Sequence, residues 1–160
     1  MVTTVDKHER NLASIIHAST FSKYLFPFGN IIVPLILWVA NKKTYEYVAE
    51  QGKRALNFQI SLLVYSLFLV MLTIPFFIGV ISEVIFWENF NFIAPMNFED
   101  FSIHLDSQNF HIPSFIWPVG ILVLGQVMLS IINIVYTILA TIRSNEGQDF
   151  KYPLTINFIK

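Results

Sequence analysis

The feature that most constrains this chain is a pair of long stretches without Lys, Arg, Asp or Glu, over 55–82 and 107–142. Their apolar parts, 55–81 and 112–142, each exceed the roughly 20 residues that a membrane-spanning helix needs. As a helix, 55–81 would extend about 40 Å at 1.5 Å per residue, enough to cross a hydrocarbon core of about 30 Å with tilt. Only 13% of residues are charged, against about 25% for a soluble domain, and mean hydropathy is +0.58. These values place the chain in the multi-pass membrane class. A formal charge of −1 provides no basic excess for a phosphate backbone, so nucleic acid is not an expected partner. The absence of Cys excludes disulfides, thiolate metal sites and cysteine nucleophiles.

Two shorter apolar segments, 12–26 and 28–41, precede the long ones. Between them, Pro27 stops a helix, Gly29 supplies permissive dihedrals and Asn30 can cap the next helix, with Pro34 in its first turn. The pair reads as a helical hairpin, either two short spans or a re-entrant pair entering from one face. The polar start, MVTTVDKHER, followed by a short apolar stretch, gives no expectation of a cleaved signal. The expected fold is an all-α integral membrane four-helix bundle, made of a short helical hairpin and two long spans.

Within that fold the segments are a cytoplasmic N-terminus over 1–11, the hairpin over 12–41 and a cytoplasmic interfacial segment over 42–54. A transmembrane helix over 55–81, an external acidic aromatic loop over 82–111, a second transmembrane helix over 112–142 and a cytoplasmic tail over 143–160 follow. Orientation comes from the retention of positive charge in the cytoplasm. Lys7, Arg10, Lys42, Lys43, Lys53, Arg54, Arg143, Lys151 and Lys160 all flank the same ends, whereas 82–111 carries Glu83, Glu88, Glu99, Asp100 and Asp106 and no Lys or Arg. Both termini are therefore expected on the cytoplasmic side of the membrane and the loop outside. Lys23, one turn before Pro27, would have to snorkel in a crossing hairpin. A three-span arrangement, with 12–41 as one broken crossing, would instead export Lys7 and Arg10.

The interfacial segment offers i,i+4 pairs Lys42 with Glu46 and Glu50 with Arg54, and headgroup-level Tyr45 and Tyr47. In the third segment Asn57 and Ser61 share a helix face and Gln59 points elsewhere. In the last segment Gln126, Ser130, Asn133 and Thr137 form one stripe. Amides in hydrocarbon are costly unless bonded, so Asn57, Ser61, Gln126, Ser130 and Asn133 should turn toward one another, as interhelical glue or as the lining of a polar path. Pro75 frees a carbonyl that a hydroxyl such as Thr73 could serve, with a kink expected there. His17 is either a proton-relay residue or a neutral histidine bonded inside the bundle. His104, Asp106 and His111 form only a loose metal-ligand pattern, and Phe86, Trp87, Phe90, Phe92, Phe98, Phe101 and Phe110 suit the outer headgroups. No phosphate-binding loop, nucleophile elbow or H-E-x-x-H motif occurs. A non-enzymatic protein without a cofactor is expected.

Three segments carry a family resemblance: Pro27-Phe28-Gly29-Asn30 with Pro34 and Trp38, Ala55-Leu56-Asn57-Phe58-Gln59, and Tyr152-Pro153-Leu154-Thr155-Ile156 leading to Phe158-Ile159-Lys160. Together they resemble the small bacterial membrane proteins of the DUF4870-type, Tic20-like family. That resemblance implies a four-helix membrane domain related to a chloroplast import translocon component and to magnetosome membrane proteins of the MamF kind. It brings no catalytic residues. The expected role is an accessory or scaffold subunit of a membrane protein complex, with protein translocation or envelope maintenance as its setting and the lipid bilayer, other membrane proteins or further copies of the chain as partners. The alternative is a small channel or transporter lined by the polar residues above.

Overall fold

The computed structural model describes residues 5–84, 105–106, 109–110 and 116–160. Its regular structure is helical: α1 (Lys7–Ala18), a 3₁₀ helix (Ser19–Tyr24), α2 (Gly29–Asn41), α3 (Glu46–Val84) and α4 (Ile116–Asn145). A two-residue antiparallel pairing, β1 (Leu105–Asp106) with β2 (Asn109–Phe110), is the only sheet among the described residues. The metal-ligand pattern and aromatic belt expected in 82–111 otherwise lie outside the described residues.

Helix boundaries depart from the expected ones in physically interpretable ways. The segment over 42–54 is not set apart from the apolar stretch by a break: its helix starts at Glu46 and runs on without interruption as α3. The sequence from 46 to 54 contains no proline, and its carboxylates and cations suit a helical surface. Glu50 pairs with Arg54 at 3.4 Å and with Lys53 at 3.0 Å. Lys42 falls before the helix start, so it cannot pair with Glu46 along one face, and it lies over the Trp38 ring at 4.2 Å.

The turn before α2 also differs in detail. Phe28, not Gly29, adopts the left-handed conformation, with φ 62°. Gly29 is needed for proximity, because a Cβ there would stand 2.4 Å from the Ser22 carbonyl oxygen. Asn30 lies inside α2 and its amide reaches Gln59 rather than capping the helix. Pro34 accordingly sits in the second turn. Lys23 lies over the Tyr24 ring at 4.9 Å.

By compactness the chain divides into two units, residues 1–65 with 129–160, and residues 66–128. The first has two apolar clusters. Ile16, Val48 and Ala55 pack with Leu12, Leu37, Trp38 and Tyr45. Phe58, Leu62, Ala140 and Tyr152 pack with Tyr65, Leu129, Ile132, Tyr136 and Phe150. Phe58 and Tyr152 stack with centroids 4.1 Å apart. α4 ends in a Schellman turn, with Gly147 at φ +76°, its N–H on Ser144 O and the Gln148 N–H on Arg143 O.

In the second unit, Leu69, Val70, Thr73 and Ile74 of α3 and Leu122, Val123 and Gln126 of α4 line a shallow apolar cavity of about 270 Å³. α3 continues through Pro75 to Val84. The Thr73 hydroxyl donates to Leu69 O at 2.7 Å, so it does not serve the carbonyl that Pro75 releases.

Among the described residues, two helical stretches, Glu46–Pro75 and Trp117–Asn145, are long and apolar enough to cross a membrane by length and composition. Their exteriors are apolar, with Leu67, Phe68, Met71, Ile121, Leu124 and Met128 all more than half exposed. Among the described residues nearly half of the buried side chains are polar: His17, Thr20, Gln51, Asn57, Gln59, Ser61, Asn133, Thr137 and Ser144. Fully buried polar side chains in a folded protein need partners, because leaving their groups unbonded is costly. α1, with Lys7, Glu9 and Arg10 and a length of about 18 Å, is shorter than the roughly 30 Å of a hydrocarbon core.

Candidate functional site

The first unit is organised by three groups of buried polar side chains. The first centres on Gln59 of α3, which is fully buried. Its Oε1 accepts from Asn30 Nδ2 at 2.9 Å and Asn133 Nδ2 at 3.3 Å, while its Nε2 donates to Asn133 Oδ1 at 3.2 Å. Thr137 Oγ1 donates to the same Asn133 oxygen at 3.2 Å and lies 3.4 Å from Thr20 Oγ1. One amide pair thus ties α2, α3 and α4 together, and two hydroxyls extend the connection to the 3₁₀ helix.

The second group centres on His17 of α1, also fully buried. Its Nδ1 is 2.8 Å from the Tyr152 hydroxyl and its Nε2 is 3.3 Å from Gln51 Oε1. Gln51 Nε2 donates to Asp149 Oδ1 at 3.1 Å, and Ser144 Oγ donates to Gln51 Oε1 at 3.4 Å. These contacts set the proton positions. A carboxylate accepts only, so the Gln51 NH₂ must face Asp149 and its oxygen must face His17. Nε2 therefore carries the imidazole proton, and Nδ1 accepts from the Tyr152 O–H. Burial lowers the His17 pKa from 6.5 to about 4, opposed by the Gln51 hydrogen bond and assisted by the Arg54 charge. Burial also pushes the Tyr152 phenol upward. Both ring nitrogens of His17 are engaged in hydrogen bonds within the fold.

The third group holds the tail. Arg54, Asn57, Ser61 and Tyr65 lie at offsets of three, four and four on one stripe of α3. Arg54 Nη1 donates to Phe150 O at 3.3 Å and pairs with Asp149 at 3.2 Å. Tyr65 Oη donates to Leu154 O at 3.0 Å, at a turn where Leu154 has φ 56°. Ser61 Oγ accepts from Ile156 N at 2.8 Å and donates to Asn57 O at 2.7 Å. Asn57 forms a two-way bond with Ile159, Nδ2 to O at 3.0 Å and N to Oδ1 at 2.8 Å. The tail thus passes along α3 to the level of Tyr65, turns at Leu154 and returns to Asn57. That excursion is about 16 Å at the helical rise. Non-helical backbone beside an apolar helix is tolerated when its polar groups are bonded, and these side chains bond them.

The five residues expected to converge do not form one set. Asn57 and Ser61 share a face as expected, but that face meets the tail and not the α4 stripe. Asn133 meets Gln59, the amide expected to point elsewhere. Gln126 Nε2 donates to Ser66 Oγ at 2.7 Å within the second unit, and Ser130 also has a polar interaction. The residues that sequence reasoning missed, Gln51, Gln59, Tyr65 and Tyr152, become polar connectors only through partners distant in the chain. A spacing signal existed for Arg54 and Tyr65, which extend the Asn57 and Ser61 stripe by one turn each way. No group of three or more Asp, Glu or His positioned for a metal ion occurs among the described residues.

No curated protein and no solved structure matches the chain. A family model does match, over residues 8–159, and its description is magnetosome magnetite crystal formation protein, MamF/MmsF. This corrects the DUF4870-type, Tic20-like assignment, which names a different family, and the connection with protein translocation falls with it. The segments around Pro27, Ala55 and Tyr152 lie inside the matched range. Motifs of a few residues separate families poorly, whereas a match across nearly the full chain does separate them. The chain belongs to the MamF/MmsF magnetosome magnetite crystal formation family.

Proposed function

We infer that the protein is a non-enzymatic, multi-pass protein of a bacterial membrane that serves as a scaffold or accessory subunit in magnetosome crystal formation. Family membership over residues 8–159 carries the process. The scaffold role is supported by a polar interior that joins helices, Gln59 with Asn133 above all, beneath apolar exteriors suited to lipid. In this reading α3 and α4 cross the bilayer, α1 and α2 enter and leave on one face, and both termini are cytoplasmic. Partners are lipid and other membrane proteins, including further copies of the chain.

The process is tested by expressing the chain in a magnetite-forming bacterium that lacks its own family member. Restored crystal size in electron micrographs is expected, and unchanged crystals despite membrane-localised protein would overturn the reading. Topology is accessible because the chain has no Cys. Single cysteines at Lys43 and Glu146, both exposed, should resist an impermeant reagent in intact cells, whereas one within 82–111 should react. Against the polar-path alternative stand the bonds of Asn57 and Ser61 to the tail and of Asn133 to Gln59. Reconstituted liposomes should accordingly show no solute flux.

A further inference from the structure

A cavity of about 470 Å³ opens between the first turns of α3 and the returning tail. Its size is within the range of small-ligand sites. Four cations line it: Lys53 and Arg54 from α3, Lys151 and Lys160 from the tail. The opposing charges are Glu50, which also lines it, and Asp149, which holds Arg54 from the side. Glu50 is shared between Lys53 at 3.0 Å and Arg54 at 3.4 Å. Four positive against two negative side chains leave a surplus of two. Among the described residues, Lys151 and Lys160 have no carboxylate within ion-pair distance. Arg54 is committed to the tail through Phe150 O and Asp149, and Lys53 has two ammonium donors beyond its Glu50 contact, which leaves Lys151, Lys160 and those donors of Lys53 to address a ligand.

The cavity's position gives the charge its meaning. It lies at Glu50 to Asn57, where the charged start of α3 gives way to the apolar stretch, the level of lipid headgroups if α3 crosses the bilayer. Its wall also offers the Thr155 hydroxyl and the Asn157 amide. Basic pockets at this depth on the cytoplasmic side suit phosphate-bearing headgroups. Ammonium groups serve as point-charge phosphate ligands without demanding a fixed fork geometry. We propose that this pocket binds a phosphate anion, the chemistry shared by an anionic phospholipid headgroup and free phosphate. Occupancy would join the tail to α3, because cations from both converge on one ligand. The lipid form of the proposal rests on the membrane placement of α3, whereas the phosphate chemistry does not.

The test is the thermal unfolding midpoint of the detergent-solubilised full chain, titrated with phosphatidylglycerol, phosphatidylcholine or inorganic phosphate. A saturable rise with phosphatidylglycerol and none with phosphatidylcholine supports the proposal. Competition by inorganic phosphate also supports it and identifies free anion as a sufficient ligand. At roughly fivefold per cation near a membrane surface, Lys53→Gln with Lys151→Gln should weaken phosphatidylglycerol binding about twenty- to thirtyfold. Lys53→Arg with Lys151→Arg should retain it and guard against a misfolded Gln variant. Equal response to the two lipids with no response to phosphate, or unaltered binding by the Gln variant, overturns the proposal. Resistance of the wild-type chain to alkaline extraction from membranes tests membrane placement independently.

Discussion

Replacing Gln59 with Leu removes the amide that joins three helices while nearly preserving side-chain volume. Three hydrogen bonds disappear: one from Asn30 and the two-way pair with Asn133. Interhelical bonds of this kind average about 0.6 kcal/mol each in membrane proteins, which gives about 2 kcal/mol. The buried Asn133 amide donor is also stranded, raising the expected loss to about 3 to 5 kcal/mol. Asn133→Leu should cost a similar amount, and the double variant should cost less than the sum, since removing both partners leaves fewer unsatisfied groups. The assay is reversible unfolding in mixed micelles, followed by far-UV circular dichroism as denaturing detergent increases. A Gln59→Leu stability within about 0.5 kcal/mol of wild type, or strict additivity with Asn133→Leu, would refute the claim that this pair holds the bundle.

Three further outcomes follow from the same geometry. His17 takes up its proton near pH 6.5 when unfolded but near 4 when buried, so stability should fall as pH drops between those values, by up to about 3 kcal/mol, and level off below; His17→Gln should flatten that slope in pH-dependent thermal melts. Gly52→Ala sets about 1 kcal/mol of helix propensity against a Cβ placed 2.4 Å from Trp38 Cδ1. The Trp38 indole is held by its bond to Ala49 O, so overpacking at about 1 to 3 kcal/mol should win and lower the melting midpoint. Tyr65→Phe removes the hydroxyl on Leu154 O at a cost of about 0.5 to 1.5 kcal/mol, and amide hydrogen exchange across 154–159 should then quicken.

The long helices were legible because their signal is local: an apolar stretch without Lys, Arg, Asp or Glu reports a long helix with no knowledge of neighbours, though not its ends. The break at Pro27 was legible for the same reason, since proline acts on its own backbone. The division of work between Phe28 and Gly29 was not, because the demand for glycine comes from Ser22 across the turn. Helix-face arithmetic correctly separated Gln59 from Asn57 and Ser61. It could not say which face α4 would meet, because the other face was claimed by a tail whose apolar residues and turn gave no sign of folding back. Lys42 shows the same limit at short range, where a four-residue spacing carried no pair because the helix begins after it.

Composition and order along the chain therefore settled that it would form long apolar helices around a scarce set of polar side chains, since those properties belong to each segment alone. Tertiary structure decided the pairing of those side chains. A hydrogen bond needs two groups within about 3 Å, and here the decisive partners, such as His17 and Tyr152, stand 135 residues apart. Only the packing of helix on helix and tail on helix could bring them to that distance.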